Sequence, residues 1–292
     1  MSKIEFIPFI FLSIALLFLW FRDHKNSLLR HAWQILLGIA CIIAVYLEQI
    51  QGVAILIVLF VAAIAWYASN TKFTNAWRWV AGLLFVSSAV ALGLHLMPGF
   101  NSLLVVKSIS LTPDAIPYSL YFNIDKTLIA LFIFGFWYHR PVNLLSWSAT
   151  WRTLLWILPL LISVVLLLAF LLNYIQFEPK MIDGLWLWGW ANLFFTVTAE
   201  EALFRGLLQH QLSKRLRNVF AGKWFAIAIA ALLFGLAHIG GGWVYVALST
   251  VAGFGYGMVY QLTGRIEASI ICHFALNLSH ILFFTYPALV AN

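Results

Sequence analysis

The stretch Ala199-Glu200-Glu201-Ala202-Leu203-Phe204-Arg205-Gly206-Leu207-Leu208 places two acids and a base inside an apolar segment running over 185–211. That segment is long enough to cross a bilayer, which takes about 20 mostly apolar residues. The whole chain of 292 residues has ten carboxylate side chains. Glu5, Asp23, Glu48, Asp114, Glu178, Asp183 and Glu267 fall in or beside loops, and Asp125 sits at the edge of an apolar segment. Glu200 and Glu201 alone lie well inside one. A carboxylate at bilayer depth costs at least roughly 2.5–3.5 kcal/mol on insertion scales, so it is normally paired, turned to a cavity, and functional. Chemistry is therefore expected here.

The surrounding chain is 63% hydrophobic and only 9% charged, against about 25% charge in soluble domains. It reads as an all-α, polytopic transmembrane bundle of about 8–10 spans. Ten segments qualify: 4–21, 31–48, 52–69, 77–96, 123–139, 152–175, 185–211, 222–239, 243–262 and 266–287. The first lacks a strongly basic start and a small-residue cleavage site, so it reads as a retained span rather than a signal peptide. Cys41 and Cys272 both lie in apolar segments and suggest neither a disulfide framework nor a thiolate metal site.

The net charge of +7 has a topological explanation. One set of alternate connections holds Arg22, Lys25, Arg30, Lys72, Arg78, Arg140, Arg152, Lys214, Arg215, Arg217, Lys223 and Arg265; the other holds Lys3, Lys107 and Lys180. This positive-inside bias places both termini outside the cytoplasm. It also supplies some attraction to anionic membrane lipid, and nothing points to nucleic acid. The longest connection, about 97–122, contains Pro98, Pro113 and Pro117. It is the expected boundary between accessory transmembrane helices (1–115) and a second domain (120–288).

On an α-helix, Glu201 and Arg205 are four apart and share a face, so an ion pair is natural. Glu200 is rotated by about 100° and is available to point elsewhere. Glu201 and Arg205 are thus expected to be structural, and Glu200 chemical. His238 closes the eighth segment, while His273 and Asn277 lie one turn apart on the tenth. A lone buried histidine is usually a hydrogen-bonded core residue; two, on separate spans near a carboxylate pair, weaken that account. His210 and His280 have no such setting and read as bystanders. A carboxylate, two imidazoles and a carboxamide without a nucleophilic Ser or Cys suit hydrolysis by activated water, with Glu200 as general base and a His/Asn pair donating to an oxyanion. The same groups could form a metal site from Glu200, His238 and His273, zinc being the natural ion. Spacing leaves both schemes open.

At these residues the chain resembles the CPBP family of intramembrane proteases, which includes CAAX prenyl endopeptidases and bacterial Abi-type relatives. E-E-x-x-x-R matches Glu200, Glu201 and Arg205; F-x-x-x-H matches Phe234 and His238; H-x-x-x-N matches His273 and Asn277. The three occur in order, each on an expected span, and the similarity covers about 120–288. The resemblance implies an intramembrane endopeptidase in which Glu200 and His238 activate water while His273 and Asn277 stabilise the oxyanion. It also implies a peptide or protein substrate, prenylated or membrane-embedded. Asn277 is a poor metal ligand and a good oxyanion donor, which favours a reaction needing no cofactor over one using zinc. A non-catalytic scaffold, or a transporter using the Glu/His cluster as a proton relay, is the competing reading. A transporter should often carry repeats with interrupted helices in both halves, whereas the polar residues here crowd into the last third. Short connections and the lack of a targeting address suggest a bacterial inner membrane.

Overall fold

The computed structural model describes residues 2–23, 25–73, 76–138 and 144–290. Arg140, counted among the basic connections, and the last residue of the expected segment 123–139 lie outside the described residues. Helices dominate. Among the described residues seven are long and apolar enough to cross a membrane: Lys3–Phe21, Ser27–Tyr46, Gly52–Ser69, Ala76–Gly93, Trp147–Leu171, Ile239–Thr263 and Ile266–Phe283, with Gly222–Leu236 a shorter apolar helix. The protein is an integral, multi-pass membrane protein. The chain divides into two compact units that interleave along the sequence.

The first unit comprises Met1–Val105, Tyr121–His139 and Phe194–Leu203. Its helices are α1 (Ile7–Phe18), α2 (Ser27–Tyr46), α3 (Gly52–Ser69), α4 (Ala76–Gly93) and α5 (Ile124–Phe132). Local sequence sets the ends. Pro8 lies in the first turn of α1, where its missing N–H is no loss. The Asn26 side chain accepts from Leu28 N at 2.9 Å and caps α2. α1 packs on α2, α3 on α4, and α1, α3 and α4 all reach α5. A triad of rings holds the centre: Phe9, Phe122 and Phe195 lie 5.2–5.4 Å apart, centre to centre. Asp125, at the start of α5, is buried against His95, with Nδ1 and Oδ2 separated by 2.7 Å. An acid at a span edge thus acquires a partner that spacing could not reveal, because His95 follows a different helix.

The second unit comprises Val106–Leu120, Arg140–Leu193 and Phe204–Asn292. It is built on α6 (Trp147–Leu171) and on three helices that follow the Glu-bearing stretch. In chain order that stretch consists of α7 (Leu185–Trp190), a π-helical turn (Ala191–Val197), α8 (Thr198–Glu201), a second π-helical segment (Ala202–Gln209) and α9 (His210–Arg215). Then come α10 (Gly222–Leu236), α11 (Gly242–Thr263) and α12 (Ile266–Phe283). α10 and α11 form a hairpin, and α6, α11 and α12 pack on one another. Small residues permit these approaches. A Cβ on Gly235 would stand 1.9 Å from Thr250 Oγ1, and one on Gly255 would stand 2.4 Å from Leu161 Cδ1.

Two expectations need amendment. The connection 97–122 is not wholly irregular: Leu103–Ile109 and Tyr118–Phe122 form a two-stranded sheet, β1–β2. Its strands are rich in Val, Ile and Tyr, residues suited to a pleated surface. Segment 185–211 is not a uniform α-helix either. The π segments replace i→i+4 bonds by i→i+5 bonds, so the α-helical turn assumed between Glu201 and Arg205 runs into an under-wound segment.

Candidate active site

Glu200 and Glu201 belong to the first unit, on α8, which packs against α5. Neighbouring Phe195 joins the ring triad with Phe9 and Phe122, so the turn that carries the acids is anchored by helix α1 and the end of β2. Glu201 is completely buried while Glu200 is partly exposed. One acid is embedded in packing and its neighbour opens toward accessible space, as a rotation of about 100° per residue requires.

The remaining motif residues belong to the second unit, and Phe234 organises them. His238 follows the end of α10, and its ring centre lies 4.6 Å from that of Phe234. The ring of His273, on α12, meets the same Phe234 edge-on at 5.6 Å. The two motif histidines therefore share one aromatic wall. His238 Nδ1 lies 2.7 Å from the carbonyl oxygen of Phe234. That oxygen can only accept, so Nδ1 is the donor, and in the tautomer this selects Nε2 carries the lone pair. Tyr245 meets the His238 ring edge-on at 5.2 Å and stacks on Tyr174 at 5.8 Å. Gly242 opens α11 directly after this turn at φ +85°, a backbone region open almost exclusively to glycine.

His273 is 4% exposed. It stacks on Tyr256 at 4.5 Å with the ring planes 16° apart, and the Tyr256 carbonyl accepts from Ser269 Oγ at 3.2 Å. Tyr256 on α11 thus lies flat against the imidazole, while the Ser269 bond ties α11 to α12 one turn away. One turn along α12, Asn277 Nδ2 donates to Asn192 Oδ1 at 3.3 Å.

Arg205 is fully buried. Its Nη2 donates to Gly253 O at 2.8 Å, and its guanidinium carbon stands 4.6 Å from the Phe234 ring and 5.2 Å from that of Tyr256. A buried cation over two aromatic faces is a stabilising arrangement. Four residues on, Gln209 repeats the pattern, donating to Gly257 O at 2.9 Å. Two buried polar side chains thus reach two α11 carbonyls through positions without side chains. A Cβ on Gly253 would stand 3.2 Å from Arg205 Nη2, and one on Gly257 would stand 2.8 Å from Gln209 Oε1. These glycines are seats for polar side chains, a more specific role than general helix packing. The two histidines set aside in the sequence have local partners: His210 Nδ1 with Tyr260 Oη at 3.0 Å, and His280 Nε2 with Thr285 O at 3.0 Å.

The second unit thus gathers His238, His273 and Arg205 around Phe234 and ties Asn277 to Asn192, while Glu200 and Glu201 are fixed in the first unit. Sequence reasoning quoted Phe234 as part of a motif without giving it a task. It missed Tyr256, Tyr245 and Asn192, whose signals are tertiary. Among the described residues no three of His, Cys, Asp and Glu group as a metal site.

No curated protein and no solved structure matches the chain. A family model does match, described as type II CAAX prenyl endopeptidase Rce1-like, over residues 182–279. The matched stretch contains all three motifs and agrees with the resemblance read from them. Over residues 182–279 the chain is thus similar to the type II CAAX prenyl endopeptidase Rce1-like family.

Proposed function

We propose that the protein is an intramembrane endopeptidase in which Glu200 and His238 activate water and His273 and Asn277 receive the oxyanion. The observation that carries the reading is the tautomer of His238. With Nδ1–H given to the Phe234 carbonyl, Nε2 is the ring position that can accept from a water molecule and orient it. The fixed plane of His273, stacked on Tyr256, suits a preorganised donor, which is what oxyanion stabilisation demands.

In the proposed sequence the Glu200 carboxylate takes a proton from water while Nε2 of His238 holds the other. The water oxygen bonds to the scissile carbonyl carbon. The carbonyl oxygen gains the negative charge and accepts from His273 and the Asn277 amide. The C–N bond then breaks, and the leaving amine takes the proton held on Glu200. The substrate is a peptide or protein presented at the membrane, with a prenylated C-terminal segment as the class suggested by the family. A bacterial inner membrane is the proposed location.

The test is cleavage by the whole, detergent-purified protein of matched farnesylated and unmodified peptides, wild type beside Glu200→Gln and His238→Ala, with metal content measured on the same samples. The expected result is turnover in the wild type and a loss of at least about 100-fold in both variants. Full activity of Glu200→Gln removes the general-base assignment. A stoichiometric metal whose removal stops turnover replaces the carboxylate scheme by a metal-bound one.

A further inference from the structure

We propose that Asn192 is a positioning residue for the reaction, acting through Asn277; this rests on the reading of Asn277 as an oxyanion donor. Asn192 belongs to none of the three motifs. It sits in the first π-helical turn, Ala191–Val197, inside the apolar run Trp190-Ala191-Asn192-Leu193-Phe194-Phe195. Asparagine is a poor choice for a helix interior, because its amide competes for nearby backbone groups. Here the amide is directed to another helix, where Oδ1 accepts from Asn277 Nδ2 at 3.3 Å.

That bond decides which end of the Asn277 amide is presented. A terminal amide torsion is broad and roughly two-fold, so an unrestrained asparagine offers either oxygen or nitrogen. Only the nitrogen end can stabilise an oxyanion. The Asn192 oxygen on the neighbouring helix takes one N–H of Asn277, and the planar amide then aims the second N–H of the same nitrogen. Turning the Asn277 amide over with Asn192 unchanged would set two carbonyl oxygens against each other.

Packing one turn away delivers Asn192 to this place. Trp188, four residues before it, lies against Phe274 with ring centres 6.0 Å apart. A Cβ on Gly189 would stand 3.7 Å from Phe274 Cζ. Trp188 also donates from Nε1 to Tyr286 Oη at 3.3 Å. The 188/192 pair on one helix thus meets the 274/277 pair on α12, each at a spacing that keeps its members on one face. Asn192 therefore selects the Asn277 rotamer, and no contact between Asn192 and substrate is involved.

The experiment compares wild type, Asn192→Ala, Asn192→Asp, Asn277→Ala and the Asn192→Ala/Asn277→Ala double variant, all as whole purified protein. Activity is read on a farnesylated CAAX peptide and thermal melting on the same samples. Asn192→Ala is expected to lose about 10- to 100-fold in kcat, with KM within about twofold, the scale of a misplaced group. Asn192→Asp keeps the acceptor and should retain activity within about threefold of wild type. The double variant should be no slower than Asn277→Ala alone, and the two melting shifts should be non-additive by about 2 °C. The proposal is overturned if Asn192→Asp falls as far as Asn192→Ala, if the losses multiply, or if KM takes the loss. Melting shifts that simply add, beside Glu200-dependent turnover, remove the amide bond and leave the protease reading standing. Coupled melting in a protein that cleaves no peptide makes the pair a helix tie alone, and both readings fall together.

Discussion

Replacing Phe234 by leucine should cost both stability and turnover, and the structure says by how much. The ring is 2% exposed. It touches both motif histidines, lies 4.6 Å from the Arg205 guanidinium carbon and meets Phe204 edge-on at 5.2 Å. In a bilayer the transfer term for an interior side chain is small, since lipid is as apolar as leucine, so packing and polar contacts decide. The lost cation–π contact contributes about 0.5–2 kcal/mol, and each lost aromatic pair about 0.5–1.5 kcal/mol. Leucine refills part of the space, and such terms do not add fully. A net loss of about 2–3 kcal/mol is expected, which on the scale of domains of 150–250 residues lowers the melting midpoint by roughly 4–12 °C. The His238 Nδ1 partner is the backbone carbonyl of the same residue and survives the change, so the tautomer is kept. The shared wall is lost, and kcat on a farnesylated peptide should fall by at least about 10-fold, as expected when two reacting groups drift. The assay is thermal melting in detergent beside steady-state cleavage on the same preparation. A leucine variant that melts within about 1 °C of wild type and keeps full kcat refutes the view that this ring organises the two histidines.

Four further outcomes follow from the structure. Arg205→Ala removes a fully buried cation and strands the Gly253 carbonyl; it should cost about 3–5 kcal/mol, read as lost yield or melting temperature. Glu201→Gln should likewise act on stability first, and a stable but inactive Glu201→Gln protein would transfer the chemistry to that acid. Gly257→Ala drives a methyl to 2.8 Å from Gln209 Oε1 and 3.1 Å from Ile227; about 1–3 kcal/mol of overpacking is expected, and Gln209→Ala in the same chain should relieve much of it, seen as non-additive melting shifts. Lys180, in the connection between α6 and α7, donates to Glu178 O and Phe284 O. Burial holds its ammonium below the ordinary 10.5, with Glu178 pulling the other way. The unfolded lysine then binds its proton more tightly than the folded one, so this group should make stability rise with pH through the depressed folded value toward 10.5. Melting followed from about pH 7 to pH 10 should show that rise, and Lys180→Met should flatten it; an unchanged slope would count against the assignment.

Sequence alone determined that this is an all-α membrane protein, because apolar runs of span length have no other stable backbone arrangement in lipid. All ten apolar segments expected from sequence are largely helical over the described residues. The sequence also identified the three motifs within the stretch that the family model matches, because intramembrane acids, histidines and amides are costly and therefore conspicuous. It could not show that the segment bearing Glu200 is broken by two π-helical turns, since α-helical periodicity was the only ruler available. Nor could it show that Phe234 serves both histidines, that Tyr256 holds the His273 plane, or that glycines 253 and 257 admit Arg205 and Gln209 to backbone carbonyls. Those relations join residues far apart in the chain, and they depend on how closely two helix backbones approach. Helix formation is local and is written in composition and period; which group meets His238 Nδ1, and which amide meets Asn277, depends on a neighbour that only packing supplies.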